Sequence, residues 1–324
     1  MNIFVAGATG AIGRQLVPAL RAAGHDVSAL VRSASGEETV RALGATPVRG
    51  DALDRGDVVR AVRTARPDVI VHQLTGLSGP FDLRHFDRTF ARTNQLRTEG
   101  TDHLLAAAWE VGVHRVVAGS YAGWPSGMNR GPVTTEEDPL DPAPAQPMRE
   151  TQAAIRYLED EVLAANGIVL RYGAFYGPGT GLAPGGDQLE PIKRRQFPVV
   201  GDGRGVWSFI HIADAADATV AAIEADRPGV YNIVDDDPAR VADWLPDAAR
   251  TVGAKPPRHV PRFVGRWLAG EAAAVMMTEV RGASNAKAKR ELGWVPRHPT
   301  WRGNLGADEG EPPARPRRAP AEVA

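Results

Sequence analysis

The stretch that decides the fold is Asn2-Ile3-Phe4-Val5-Ala6-Gly7-Ala8-Thr9-Gly10-Ala11-Ile12-Gly13-Arg14, followed at a distance by Asp26-Val27-Ser28-Ala29-Leu30-Val31-Arg32. The opening run is short, β-prone and ends in glycine, after which Ile12, Leu16, Val17 and Leu20 recur at helical spacing. Gly24 stops the helix and Asp26 to Val31 supplies a second strand, so one βαβ unit closes in about thirty residues. Gly7, Gly10 and Gly13 stand between strand and helix. The first permits the tight turn, the second lets backbone N–H groups reach a pyrophosphate, and the third lets helix and strand pack closely. The helix N-terminus favours the negative charge. Within a complete βαβ unit this spacing predicts a dinucleotide held by Gly7, Thr9, Gly10, Ala11, Ile12 and Gly13.

The end of the second strand discriminates between dinucleotides. A carboxylate there would bond the ribose 2'-OH of NAD and repel a 2'-phosphate. Val31 takes that place and Arg32 follows, with Arg14 just past the glycine turn, so guanidinium is offered where phosphate would sit. NADP is expected in preference to NAD.

The strand-helix rhythm then repeats. Thr46 to Arg49, Val69 to Gln73, Val116 to Ala118 and Ile168 to Leu170 read as strands, separated by helical stretches such as 100–111 and 153–165. The fold expected is α/β: a Rossmann doubly wound parallel sheet with a smaller interleaved C-terminal substrate lobe. Residues 1–171 form the NADP-binding domain and 172–305 mainly the substrate lobe. The glycine- and proline-rich run Tyr172 to Gly186 reads as loop. Strands at 208–211 and 229–234, flanking a helix at 213–224, are expected to rejoin the first sheet. Residues 306–324, rich in proline, arginine, glutamate and alanine without apolar period, read as a disordered tail.

Composition narrows the function. Thirty-eight basic and 39 acidic side chains leave a net charge of -1, which gives no field for nucleic acid or anionic lipid. The chain has no cysteine, which excludes disulfides, thiolate metal sites and cysteine nucleophiles, and its eight histidines lack metal-site spacing. No metal is expected. There is neither a membrane-length apolar run nor a signal-peptide pattern, so a cytoplasmic protein with a small-molecule partner is expected.

Further along stand Gly50-Asp51, His72-Gln73-Leu74-Thr75, Gly100-Thr101, Ser120, Leu170-Arg171-Tyr172, and Phe175-Tyr176-Gly177-Pro178-Gly179. Gly201-Asp202-Gly203, Asp214, Ser284-Asn285-Ala286-Lys287 and Leu292-Gly293-Trp294 follow. With the glycine turn, these resemble the short-chain dehydrogenase/reductase superfamily, and within it the extended or atypical NAD-dependent epimerase/dehydratase-like group, over residues 1 to about 305. The resemblance implies that Asp51 bonds the adenine amino group, that Leu74 and Thr75 line the cofactor, and that Phe175 lies near the nicotinamide; Asp51 as a plain turn cap is the alternative. It also implies a homodimer through a helix pair.

Active members of that group carry a Tyr-x-x-x-Lys pair on the helix before the sixth strand, where the ammonium lowers the phenol pKa for proton exchange with substrate. With Glu159 as the group's helix glutamate, the pair falls on Thr151 and Ile155; a register three residues earlier gives Met148 and Gln152. No lysine precedes Lys193. Arg97 stands where the group carries a helix asparagine, and Asn94 lies one turn earlier. The remaining catalytic candidates are Ser120, to polarise a carbonyl, and Tyr121, as a displaced acid or as part of an aromatic substrate loop reaching Pro125. Tyr172 and Tyr176 face the same region or serve packing. His72 and His211 read as structural, and Asp214 as a helix cap or a nearby first-turn acid. Asp187, Glu190, Lys193, Arg194 and Arg195 offer either a site for an anionic substrate such as a nucleotide sugar or a solvated helix face. Trp207, Trp244, Trp267, Trp294 and Trp301 would fill core or line an apolar pocket.

Two functions follow, with a lyase or isomerase that keeps the fold and uses the cofactor structurally or not at all as a third. One is an NADP(H)-dependent oxidoreductase or epimerase-like enzyme acting on a small carbonyl, alcohol or nucleotide-sugar-like substrate without the usual dyad. The other is a non-catalytic NADP(H)-binding sensor or regulatory protein.

Overall fold

The computed structural model describes residues 1–77, 82–124 and 131–306. Pro125 and all of the expected tail except Gly306 lie outside the described residues.

Strand β1 (Asn2–Ala6) is buried from its second residue on. Ile3 and Val5 face one apolar cluster, Phe4 and Ala6 the other, so both faces of the strand are covered by helices. That is why it reads as a continuous apolar run rather than an alternating one. Helix α1 (Ala11–Ala22) buries Ile12, Leu16, Val17 and Leu20 on the first face. The strands β2 (Asp26–Val31), β3 (Thr46–Arg49), β4 (Val69–His72) and β5 (Arg115–Tyr121) alternate with α2 (Ala34–Ala42), α3 (Arg55–Ala65) and α4 (Phe86–Val111). The two-residue β6 (Val133–Thr134) precedes α5 (Arg149–Ala164), which leads into β7 (Ile168–Tyr172).

Seven strands form one sheet in the order β12-β7-β5-β4-β1-β2-β3, where β12 is Gly229–Ile233, and every pairing in it is parallel. The doubly wound Rossmann architecture expected from the sequence is present. The chain reverses direction of winding between β1 and β4, and a crevice opens there at the carboxyl ends of the strands. Ser120 and Tyr121 end β5, the next strand along.

The expectation for residues 172–234 needs two corrections. The run 172–186 is not all loop, because β8 (Ala174–Tyr176) lies in it, and Phe209–His211 (β11) pairs in parallel with β8 rather than rejoining the main sheet. Gly173 is the cause. A β-carbon there would sit 2.8 Å from the Ser208 carbonyl oxygen and 2.9 Å from the Phe209 carbonyl carbon, so only glycine lets β11 approach. Its own N–H donates to Ile233 while that of Ala174 donates to Ser208, and the chain passes from one pairing to the other within a residue. Only β12 returns to the large sheet.

The helices α6 (Leu189–Lys193), α8 (Val241–Thr251) and α9 (Arg262–Thr278) and the two-residue strands β9 (Val199–Val200) and β10 (Val206–Trp207) belong to the second lobe. Its core gathers Leu189, Phe209, Trp244, Met277 and Trp301. Helix α7 (Ile212–Ala225) packs instead on the first face of the large sheet beside α1. Trp294 and Trp301 are core as expected, but Trp267 is 77% exposed and lines nothing. Among the described residues no helix is long and apolar enough to cross a membrane.

Candidate active site

A cavity of about 1060 Å³ runs from the glycine turn at β1 across the ends of β4, β5 and β7 into the second lobe. That is at the upper end of the roughly 300–1,000 Å³ usual for small-molecule sites. Ten of the eleven residues expected to hold the cofactor line it: Gly7, Thr9, Gly10, Ala11, Ile12, Arg32, Asp51, Leu74, Thr75 and Phe175. Gly13 does not, and its task is the one its spacing implies: a β-carbon there would lie 2.4 Å from the Gly7 carbonyl oxygen. Gly7 has φ +103°, and a β-carbon would meet the Gln73 carbonyl oxygen at 2.4 Å. The turn thus brings β1 backbone against β4 backbone and leaves no room for a side chain. Helix α1 begins at Gly10 with no side-chain cap and no acid in its first turn, so its first N–H groups remain for an anion. A dinucleotide pyrophosphate fits this cradle.

At the end of β2, Arg32, Ser33 and Gly36 line the cavity. Ser33 caps α2 through its Oγ, which accepts the Gly36 N–H. The nearby Glu37 is turned onto Arg41 at 2.9 Å and Arg49 at 3.7 Å. Arg14 is not part of the wall, since its Nε donates to the Thr9 carbonyl, so Arg32 is left as the guanidinium of this end. Asp51 lines the cavity yet also caps its turn, Oδ1 accepting the Leu53 N–H at 3.0 Å.

His72 is structural, as its place in the sequence suggested. Its Nδ1 accepts the Leu74 N–H and its Nε2 faces Thr101 Oγ1 at 3.1 Å, which fixes a neutral ring with the proton on Nε2. Burial first, and the Arg97 charge as a lesser cause, hold its pKa down at about 4. His211 Nδ1 accepts the Ala213 N–H, and its ring stacks on His298 at 3.8 Å beside Asp214. Asp214 is a first-turn acid of α7, which His211 caps, and it accepts the His298 N–H through Oδ2. Arg297 also closes on that carboxylate, Nε to Oδ1 at 3.5 Å, and a cation so close argues against a metal there.

The candidate catalytic end is built on Glu159. This carboxylate, 4% exposed, is bridged by Arg171, Nε to Oε1 at 2.9 Å and Nη2 to Oε2 at 2.6 Å, and Oε1 also accepts the Ser120 hydroxyl at 2.6 Å. Ser120 lines the cavity, but its proton is committed to Glu159 and only its lone pairs face a ligand. Tyr121 also lines it, edge-on to Trp124 at 5.8 Å, and burial pushes its phenol up to about 12. Tyr172 donates to or accepts from Thr219 at 2.8 Å and accepts from Gln73 Nε2, with burial raising its pKa as well. Tyr176 is buried in the core of the second lobe. Thr151 accepts from Asn94 Nδ2 and donates to Asp87 Oδ1, and Ile155 lies in an apolar cluster with Phe86, Trp124 and Met276. Neither register of the expected dyad places a tyrosine or lysine in the cavity.

The basic helix near residue 190 does not form the substrate's anion site. Lys193 and Arg194 turn onto Glu190, and Arg195 Nε donates to the Pro256 carbonyl; only Asp187, Gln188, Pro191 and Ile192 of that segment line the cavity. What sequence reasoning passed over is Arg97, read only as a missing asparagine. It lines the cavity and is 8% exposed. The signal was present: Thr93, Leu96, Gly100, Thr101 and Leu104 mark the buried face of α4, and Arg97 falls on it. Trp207 and Trp244, 5.0 Å apart, line the cavity as offered, as does Trp124 of the expected aromatic loop; missed were Phe86 and Phe90, stacked at 4.5 Å, which complete the aromatic wall.

A parallel sheet with a glycine cradle at its crossover and an apolar chamber at the neighbouring strand ends defines a dinucleotide-dependent enzyme. Residues 3–234 match the NAD dependent epimerase/dehydratase family, and the chain belongs to it. It is 46% identical, over 95% of this chain and all of the relative, to a 3-diazoavenalumate denitrifying reductase of a Streptomyces species. A 4-hydroxy-2-methyl-3-oxo-4-farnesyl-3,4-dihydroquinoline-1-oxide ketoreductase of Stigmatella aurantiaca is 31% identical, covering 79% of this chain and 74% of that one. The solved UDP-glucose 4-epimerase of Thermus thermophilus, in complex with NAD, superposes with a TM-score of 0.70 at 25% identity, covering 94% and 97% of the two chains. The protein is thus an NAD(P)-dependent reductase of this family.

Proposed function

We propose that the protein is an NADPH-dependent reductase that removes the diazo group of an aromatic carboxylate. One observation carries this reading: the chamber beside β5 holds two phenols, Tyr121 and Tyr172, both raised by burial, and no lysine to lower either of them. Among its lining residues there is no lysine or histidine, Ser120 is committed to Glu159, and Tyr121 is held up at about 12. Neither Thr151 with Ile155 nor Met148 with Gln152, the two registers in which the family's Tyr and Lys would fall, supplies that pair, which supports a reaction without the usual proton relay. Reducing a ketone leaves an alkoxide that needs such a proton. Reducing a diazonium carbon does not. When bound, the reduced cofactor supplies one hydride, which forms the new C–H bond as the C–N bond breaks and dinitrogen leaves, so the reaction balances with no proton taken up. The chain's own part is to orient the two reactants and exclude water. Phe86, Phe90, Tyr121, Trp124, Trp207 and Trp244 make flat walls suited to an aromatic ring. The likeness to the 3-diazoavenalumate denitrifying reductase supports the same assignment.

The test uses 4-diazobenzoate with deuterium-labelled NADPH. Expected are one NADPH consumed per dinitrogen released and deuterium carried into the arene, with none taken up from heavy water. A Tyr121→Phe variant should turn this substrate over as the parent does. If ketones are reduced and the diazo compound is not, the protein is a ketoreductase; binding of NADPH with no turnover of either makes it a sensor.

NADP in preference to NAD rests on Arg32 at the end of β2, on the α2 N-terminus beside it, and on Glu37 being occupied by Arg41 and Arg49. Arg32→Glu is expected to weaken NADPH binding by roughly a hundredfold, from the lost charge-assisted bonds and the added repulsion. NADH binding should hold or improve. Calorimetric affinities equal to those of the parent for both cofactors would remove the assignment.

A further inference from the structure

We propose that Arg97 is the specificity residue of this site, its guanidinium binding an anionic oxygen, carboxylate or phenolate, of the aromatic substrate. This deepens the reading above and rests on it for the aromatic character of the ligand.

Arg97 sits on the buried face of α4, 8% exposed, and lines the cavity that Gly119 and Ser120 also line. A guanidinium carries five N–H donors and stays protonated in a protein. Here none of them finds a hydrogen-bond acceptor among the described residues, and Nη1 is closed off from solvent as well. Burial draws its pKa down to about 10, and the attraction of Glu159 offsets part of this. An unpaired buried charge is among the most costly things a fold can hold.

No carboxylate among the described residues bonds it. Glu159 is already bridged through both oxygens by Arg171, which Glu136 also attracts, and Arg97 feels Glu159 only through space. His72 on the other side is neutral. The glycine turn that takes the pyrophosphate is at the end of β1, with β4 lying between it and β5. Glu159, which attracts Arg97, holds Ser120 at the end of β5, and this ties the unpaired cation to the β5 end of the cavity.

Phe86, Phe90 and Arg97 share one face of α4 and all line the cavity, Phe90 and Arg97 being about 10 Å apart along the helix axis. An aromatic slot followed by a fixed cation is complementary to a flat acid lying along the helix. Bidentate geometry makes arginine the side chain suited to a carboxylate or phenolate there.

The test is equilibrium binding to the NADP⁺-loaded protein and needs no turnover. The probes are cinnamate, which carries a carboxylate alone; methyl 4-hydroxycinnamate at alkaline pH, which carries a phenolate alone; and methyl cinnamate, which carries neither. Arg97→Gln is expected to weaken at least one charged probe by about ten- to a hundredfold, to spare methyl cinnamate and NADP⁺, and to be partly rescued by Arg97→Lys. Which charged probe suffers identifies the oxygen. The same Arg97→Gln change should raise the Tm of the cofactor-free protein, because it removes a buried unpaired charge, whereas a merely structural arginine would lower it. Equal losses for all three probes, no loss for either charged probe, no binding of the charged probes to the parent, or a lowered Tm each overturns the proposal. Failure to reduce 4-diazobenzoate leaves these binding results standing and overturns only the diazo chemistry.

Discussion

Glu159→Ala is expected to destabilise the fold by about 3–5 kcal/mol, the usual cost of removing one partner of a buried ion pair. The structure makes this site a severe case. The carboxylate is 4% exposed and accepts three hydrogen bonds, two from Arg171 and one from Ser120. Its loss leaves Arg171 and Arg97 as two buried cations without the carboxylate that both of them face. The apparent Tm should fall by roughly 5–15 °C. Adding Arg97→Gln to Glu159→Ala should return part of that loss, because the second cation goes with it. Thermal unfolding of the two variants checks both statements. A Tm unmoved by Glu159→Ala would mean that the carboxylate is not the hub described here.

Gly7→Ala should weaken NADPH binding by about a hundredfold or more. Two costs act together. Alanine at φ +103° stands in a region that L side chains rarely adopt, and its β-carbon would be driven to 2.4 Å from the Gln73 carbonyl oxygen. Relief requires β1 and β4 to part at the crossover where the pyrophosphate cradle sits. Calorimetry with NADPH reads the affinity, and circular dichroism separates a displaced turn from an unfolded chain. An unchanged affinity in a folded variant would show that the turn does not hold the pyrophosphate.

The two variants illustrate which features were legible beforehand. Gly7, Gly10 and Gly13 declared themselves because a turn and two close backbone approaches demand glycine at fixed spacing, and the flanking strand and helix lie within thirty residues. Strands β1, β2, β4, β5 and β7 were readable for the same local reason, each holding a short apolar run bounded by polar breaks, while β3 was read from its place in the strand-helix alternation. The pairing of β11 with β8 was not. It depends on Gly173 admitting a strand that is more than thirty residues away in sequence, and no local pattern carries that information.

At the site the division runs the same way. Arg32 was found because it follows a strand end whose role is set by position. The charged run at residues 190–195 was offered for an anion, whereas Glu190 and the Pro256 carbonyl already hold its cations. Arg97, noted only for the asparagine it replaces, became the site's fixed cation once α4, α5 and β7 were brought together around Glu159.

By itself, then, the sequence determined a parallel doubly wound sheet, a pyrophosphate turn and the absence of an early lysine, since each follows from short-range spacing or plain composition. Tertiary structure alone decided which charges are cancelled, where the aromatic walls meet, and that Ser120 lends its proton to Glu159. Those outcomes depend on burial and on partners far apart in the chain, which set the energy of a charge or a hydroxyl and leave no trace in its immediate neighbours.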